Sequence, residues 1–114
     1  MNTSTDLRSL TSALQENMDL SDLGIMKHFK PGDTILTENA PVRSIPIVTS
    51  GSVKVMQSDD TYKEMVLYYL RAGETCIMSF LAGLYHDTSK VKAVAEEESE
   101  ILFIPVDKIH ELIR

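Results

Sequence analysis

At 114 residues, 43% of them hydrophobic and 25% charged, the chain has the size and make-up of one globular domain, which excludes a disordered or fibrous protein. Lysines and arginines number 11 against 17 aspartates and glutamates; the net charge of −6 repels phosphate backbones and argues against nucleic acid as a direct partner of this chain. The longest apolar stretch, Ile101 to Val106, is far short of a membrane helix, the start lacks a secretory signal and the lone Cys76 cannot form an internal disulfide, so cytoplasmic residence without membrane contact is expected.

Leu7, Leu10 and Leu14 recur at helical spacing behind the capping candidates Ser4 and Thr5, which predicts a helix over about 5–17. Asp19 to Gly24 is read as a short turn capped by Ser21 and stopped by Gly24. From Ile25 to Pro105 the texture changes to short apolar runs rich in β-branched residues and separated by turn formers, which predicts an all-β unit over about 25–105. Eight strands are expected, at Met26–Lys30, Thr34–Thr37, Ile45–Thr49, Ser52–Gln57, Glu64–Leu70, Thr75–Ile77, Val91–Ala95 and Ser99–Ile104, enough for a sandwich or jelly roll. Ser58 to Thr61 reads as a polar hairpin tip and Glu96 to Glu98 as a solvated turn. Gly32, Gly51 and Gly73 each precede a polar residue and a strand, either one reused turn geometry or ordinary turn glycines. In the last segment, 106–114, Ile109, Leu112 and Ile113 share a face and Asp107 stands near the start, so the chain returns to helix.

Few residues carry chemistry. His28 reads as a strand-surface histidine, His110 as a solvated one, and His86 as a loop residue without a second ligand at metal-binding spacing, so no metal is expected. No Walker loop, dinucleotide fingerprint or nucleophile triad is discernible, so neither enzyme activity nor a cofactor is expected. Cys76 is a possible redox residue if a helix beginning near Ile77 or Met78 lowers its pKa; a buried, inert thiol is the alternative. The stretch from Leu70 to Lys92 combines a glycine turn, a short strand, a helical turn through Ser79–Ala82 and a loop bearing Ser89, Lys90 and Lys92. A helix N-terminus with lysines and hydroxyls opposite it makes a candidate anion site, against the plainer reading of a strand-to-strand connection.

The stretches Phe29 to Ile35 with Glu38, Ile45 to Val55, and Lys63 to Leu70 running into Gly73-Glu74 resemble the cyclic-nucleotide-binding domain of Crp/Fnr-type bacterial transcription regulators, over nearly the whole chain. The resemblance implies an eight-stranded jelly roll (double-stranded β-helix) flanked by N- and C-terminal helices, with a phosphate-binding cassette between two strands. It places the pocket lining at Val55, Leu67, Tyr68, Leu70, Gly73, Glu74, Ile77, Met78, Ser89 and Lys90. In cyclic-AMP binders of the family a second Gly-Glu supplies the ribose acceptor and an arginine the phosphate partner. Here Ile77-Met78 stands at the first position, and the second falls near Ser89, beside Lys90. Loss of both groups makes tight cyclic-AMP binding unexpected, because charge-assisted hydrogen bonds contribute roughly 1.5–3 kcal/mol each. The resemblance therefore implies a non-catalytic sensor of a small-molecule effector, a cyclic nucleotide being disfavoured. Its alternatives are a redox or gas sensor using Cys76, or a pocket that is only structural. Full regulators of this family continue into a dimerisation helix and a DNA-binding helix-turn-helix domain absent from these 114 residues, so DNA would be reached only through that part, and a homodimer is possible.

Overall fold

A computed structural model describes residues 24–112; the predicted helix over 5–17, the cap Ser21 and the end of the last helix lie outside the described residues. The described chain is mainly β. Seven strands form, β1 (Ile25–Phe29), β2 (Thr34–Leu36), β3 (Ser44–Ser50), β4 (Ser52–Ser58), β5 (Glu64–Arg71), β6 (Lys92–Ala95) and β7 (Ser99–Pro105), with helices α1 (Ile77–Leu84) and α2 (Val106–Leu112). They build two antiparallel sheets, a three-stranded one in the order β1-β7-β3 and a four-stranded one in the order β2-β6-β4-β5.

The period-two patterning of the strands sorts their side chains between two cores. On β7, Leu102 and Ile104 face Ile45 and Ile47 of β3 and the helical residues Phe80, Ala82, Val106 and Ile109, so one core lies between the three-stranded sheet and the two helices. Ile101, of opposite parity, joins Val48, Val53, Val55, Leu70, Cys76, Val91 and Ala93 in a second core between the sheets. Pro46 sits in β3, at an edge of its sheet, where the missing N–H removes no ladder bond. Asp59 organises the hairpin tip by accepting from the N–H groups of Thr61 and Lys63 and from the Thr61 hydroxyl, and these donors, the Thr61 side chain first, lower its carboxyl pKa below the usual value.

Seven of the eight expected strands form, with no end shifted by more than one residue. Thr75–Ile77 does not. Thr75 makes an isolated bridge to Ile47, and the chain turns helical at Ile77, because Ile77, Phe80 and Leu84 share the helix face that packs on the first core. His110 is not the solvated residue expected. It is partly buried on α2, its Nε2 is shut away without a hydrogen-bond partner, and its ring stacks on His86 with centroids 6.0 Å apart. Among the described residues no helix is long and apolar enough to cross a membrane.

Candidate functional site

The candidate site is built where β5 runs through the turn at Gly73 into α1 and where the loop after α1 returns to β6. Gly73 takes a φ of 90° there, its N–H donates to the Val48 carbonyl at 2.7 Å, and Glu74 N–H donates to Arg71 O at 3.0 Å. The Glu74 carboxylate folds back to accept the Arg71 N–H at 2.7 Å, so it serves the turn. Cys76 is the N-cap of α1 and gives no side-chain cap, and no acidic residue stands in the first turn. The first N–H groups of a helix have no intrahelical partner, and the partial positive charge they carry suits an anion.

The groups expected opposite this terminus are otherwise engaged. Lys90 Nζ lies 3.9 Å from Asp87 Oδ1, and Lys92 Nζ lies 3.2 Å from Glu64 Oε2. Ser89 is fully buried; its hydroxyl donates to Val91 O at 2.6 Å and accepts from Val91 N at 3.2 Å, which spends its one proton inside the loop. Ser79, on the first turn of α1, has a buried hydroxyl with no partner.

The predicted lining residues separate into three settings. Val55 and Leu70 are buried in the core between the sheets, and Tyr68 and Met78 pack against it from the rim. Leu67 is exposed on β5, whereas Ile77 packs on the other core. Met78 and Lys90 also border a shallow groove of about 240 Å³ on the outer flank of α1, completed by Leu81, Ala82, Tyr85, Asp87 and Thr88. Its apolar wall repeats at helical spacing, Met78, Leu81, Ala82 and Tyr85, and that repeat was the signal available in the sequence for Leu81, Ala82 and Tyr85, three of the five members not assigned to the site from sequence.

Tyr68 closes the space over Cys76, its hydroxyl 3.2 Å from Sγ. Burial first, then the hydrogen bond to Cys76 and the electrostatic influence of that thiol, raise the phenol pKa above the usual 10.0. The unfolded chain thus loses this proton at lower pH than the folded one. The stability contributed is complete below about pH 10 and is lost progressively as pH rises above it. Melting curves taken through the alkaline range should show a steeper loss of stability for the native chain than for Tyr68→Phe; equal slopes would show that the phenol titrates alike in both states.

A family model and solved structures place the chain among known proteins. The family model described as the cyclic nucleotide-binding domain matches residues 26–114. Among solved structures, a transcriptional regulator from Thermotoga maritima is similar at 22% identity with a TM-score of 0.69, over 83% of this chain and 75% of that one. The catabolite activator protein of Thermus thermophilus is similar at 23% identity and a TM-score of 0.73, over 99% of this chain and 48% of that one. The regulatory subunit of a cAMP-independent protein kinase A from Trypanosoma brucei, solved as a triple mutant bound to cAMP, is similar at 20% identity and a TM-score of 0.76, over 97% of this chain and 42% of that one. The chain thus spans less than half the length of the last two. No curated protein matches it in sequence.

Proposed function

The chain belongs to the cyclic nucleotide-binding domain family, and from that premise we propose that it is the non-catalytic effector-sensing part of a Crp/Fnr-like transcription regulator whose phosphate cassette no longer holds cyclic AMP tightly. The observation that carries this reading is the pairing of Lys90 with Asp87 beside α1. The Asp87 carboxylate, 3.9 Å from Lys90 Nζ, offsets part of the attraction a cyclic phosphate would feel, and lysine in any case lacks the planar fork of arginine. Ser89 contributes nothing to offset this, since its hydroxyl is satisfied by Val91. Met78 brings a thioether where the family's cyclic-AMP binders carry an acidic acceptor for the ribose. An effector of lower charge and greater apolar area suits the groove lined by Met78, Leu81 and Tyr85 better than a nucleotide does.

The output path runs through α1. A Cβ on Gly83 would stand 2.8 Å from Ile45 Cδ1 and 3.0 Å from Val106 Cγ2, so α1 is seated closely against β3 and the start of α2. An effector that favours one position of α1 thereby biases α2 and whatever follows it, and it shifts that equilibrium only by its difference in affinity for the two positions. Contact with DNA belongs, in this reading, to a helix-turn-helix domain of the complete regulator.

Calorimetric titration of the folded chain with cyclic AMP and cyclic GMP tests the proposal. The expected result is no saturable heat in the micromolar range for either nucleotide. Micromolar binding that Lys90→Ala weakens would overturn the reading and make Lys90 the phosphate partner.

A further inference from the structure

The groove on the outer flank of α1 joins two chemistries. Its wall is apolar, and Ala82, the smallest member of the helical repeat, opens a seat between Met78 and Tyr85; Leu81 and Tyr85 are 40% and 78% exposed beside it. Apolar surface left open along a concavity is stabilised by a ligand that covers it. The volume of about 240 Å³ equals roughly eight water molecules at about 30 Å³ each, room for one compact organic molecule.

The rim of the same groove carries one charge of each sign. Asp87 Oδ1 and Lys90 Nζ stand 3.9 Å apart, an ion pair too long for a hydrogen bond, with the two side chains 57% and 56% exposed. Oδ1 of Asp87 also accepts the Thr88 N–H at 2.7 Å, whereas Asp87 Oδ2 and Lys90 Nζ have no hydrogen-bond partner among the described residues. A ligand with a single charge satisfies one of these groups and sets that charge beside the like-charged other. A ligand with an ammonium and a carboxylate on one carbon satisfies both.

Resting on the reading of this groove as the effector site, we propose that the effector is a free α-amino acid with an apolar side chain, its ammonium on Asp87, its carboxylate on Lys90 and its side chain over Ala82 between Met78 and Tyr85. The two charges of the rim then select the zwitterionic head group, and the wall selects the side chain. Leucine, methionine and phenylalanine meet both requirements. Glycine leaves the wall bare, and glutamate brings a second carboxylate against apolar surface with no cation to meet it.

Titration of the full chain with L-leucine to about 10 mM, followed by backbone amide chemical shifts, tests the assignment. The expected result is a saturable set of shifts centred on α1 and the loop from Asp87 to Lys90, with none from glycine. Isocaproate, which lacks the ammonium, and isoamylamine, which lacks the carboxylate, each bind about fivefold or more weakly than leucine. Asp87→Asn brings leucine to within about twofold of isocaproate, and Lys90→Met brings it to within about twofold of isoamylamine, because each variant removes the charge that distinguished the two ligands. Both positions are exposed, so neither change disturbs a core. A spectrum unmoved by leucine, or preferences that these variants leave intact, would overturn the proposal. Neutral N-acetyl-leucine amide binding the same residues as tightly as leucine would overturn it while keeping the groove as the effector site, whereas tight binding of cyclic AMP there would overturn the underlying reading as well.

Discussion

Replacement of Gly51 by alanine should lower the melting temperature of this domain by roughly 15 °C, several times the shift of an ordinary surface substitution. A single residue separates β3 from β4, and Gly51 makes that reversal at a φ of 95°. An added Cβ meets two obstacles. Its positive φ is strained for an L side chain, at about 1–2 kcal/mol. It would also overlap the Ser99 hydroxyl and stand 2.5 Å from the Glu98 carbonyl oxygen and 2.7 Å from Ser99 Cα. Ser99 is nearly fully buried, and its hydroxyl donates to Glu97 O and accepts from Ser52 N, so it has no free space to yield; forced repacking adds about 1–3 kcal/mol. Gly32 is the control. Its φ is 90°, yet a Cβ there meets nothing within 4 Å, so Gly32→Ala should show the backbone cost alone, a shift of about 5 °C. Thermal denaturation of both variants separates the two contributions, and equal shifts would refute the close approach of β7 to the β3–β4 turn.

The strands were legible in the sequence because their patterning is local. Ser52–Gln57 alternates inward and outward residues and puts Val53 and Val55 in one core, whereas Ser99–Ile104 ends in a continuous apolar run buried on both faces, with Ile101 in one core and Leu102 and Ile104 in the other. Thr75–Ile77 failed as a strand because three apolar or β-branched residues look alike at the start of a buried helix and in a short strand. What decided it was long-range, the seat that β3 and α2 offer to Ile77, Phe80 and Leu84. His110 was misread for a related reason. Its own helix face gave it to solvent, and its burial comes from packing that includes His86, 24 residues earlier.

The candidate site was less legible still. Which stretches meet there was readable from the order of Gly73-Glu74, the helical turn and the lysine-bearing loop, but which side chains line the groove and which groups remain available was not. Ser89 spends its hydroxyl on a backbone two residues away, Lys90 meets Asp87, and the Glu74 carboxylate turns back to Arg71. Each is a pairing within three residues, yet composition at such range admits many alternatives, and the loop conformation selects among them. The positive φ of His86, 55°, at the end of α1 belongs to that selection, since it helps aim Asp87 N–H at the Ala82 carbonyl and so closes the helix.

The thiol of Cys76 should react with an aromatic disulfide reagent about a thousandfold more slowly in the native chain than in denaturant. Thiol–disulfide exchange needs a thiolate and an approach path to it. Cys76 has no exposed surface, lies among Val48, Val53, Val55, Leu70, Val91, Ala93 and Ile101, and is covered by Tyr68 with its hydroxyl 3.2 Å from Sγ. Reaction must therefore wait for local opening, and an opening free energy of about 4 kcal/mol, within the range between fraying and global unfolding, gives that factor. Tyr68 decides how wide the opening has to be. Tyr68→Ala removes the cover and should speed native labelling at least about tenfold, whereas Tyr68→Phe keeps the ring and should stay within about threefold of the parent chain. Labelling timed at about pH 8, near the ordinary thiol pKa, reads all three rates. Native labelling as fast as that of the unfolded chain would contradict the sealed geometry and turn the function toward redox sensing at Cys76; slow labelling released only by Tyr68→Ala leaves the thiol a core residue and the sensing to α1 and its groove.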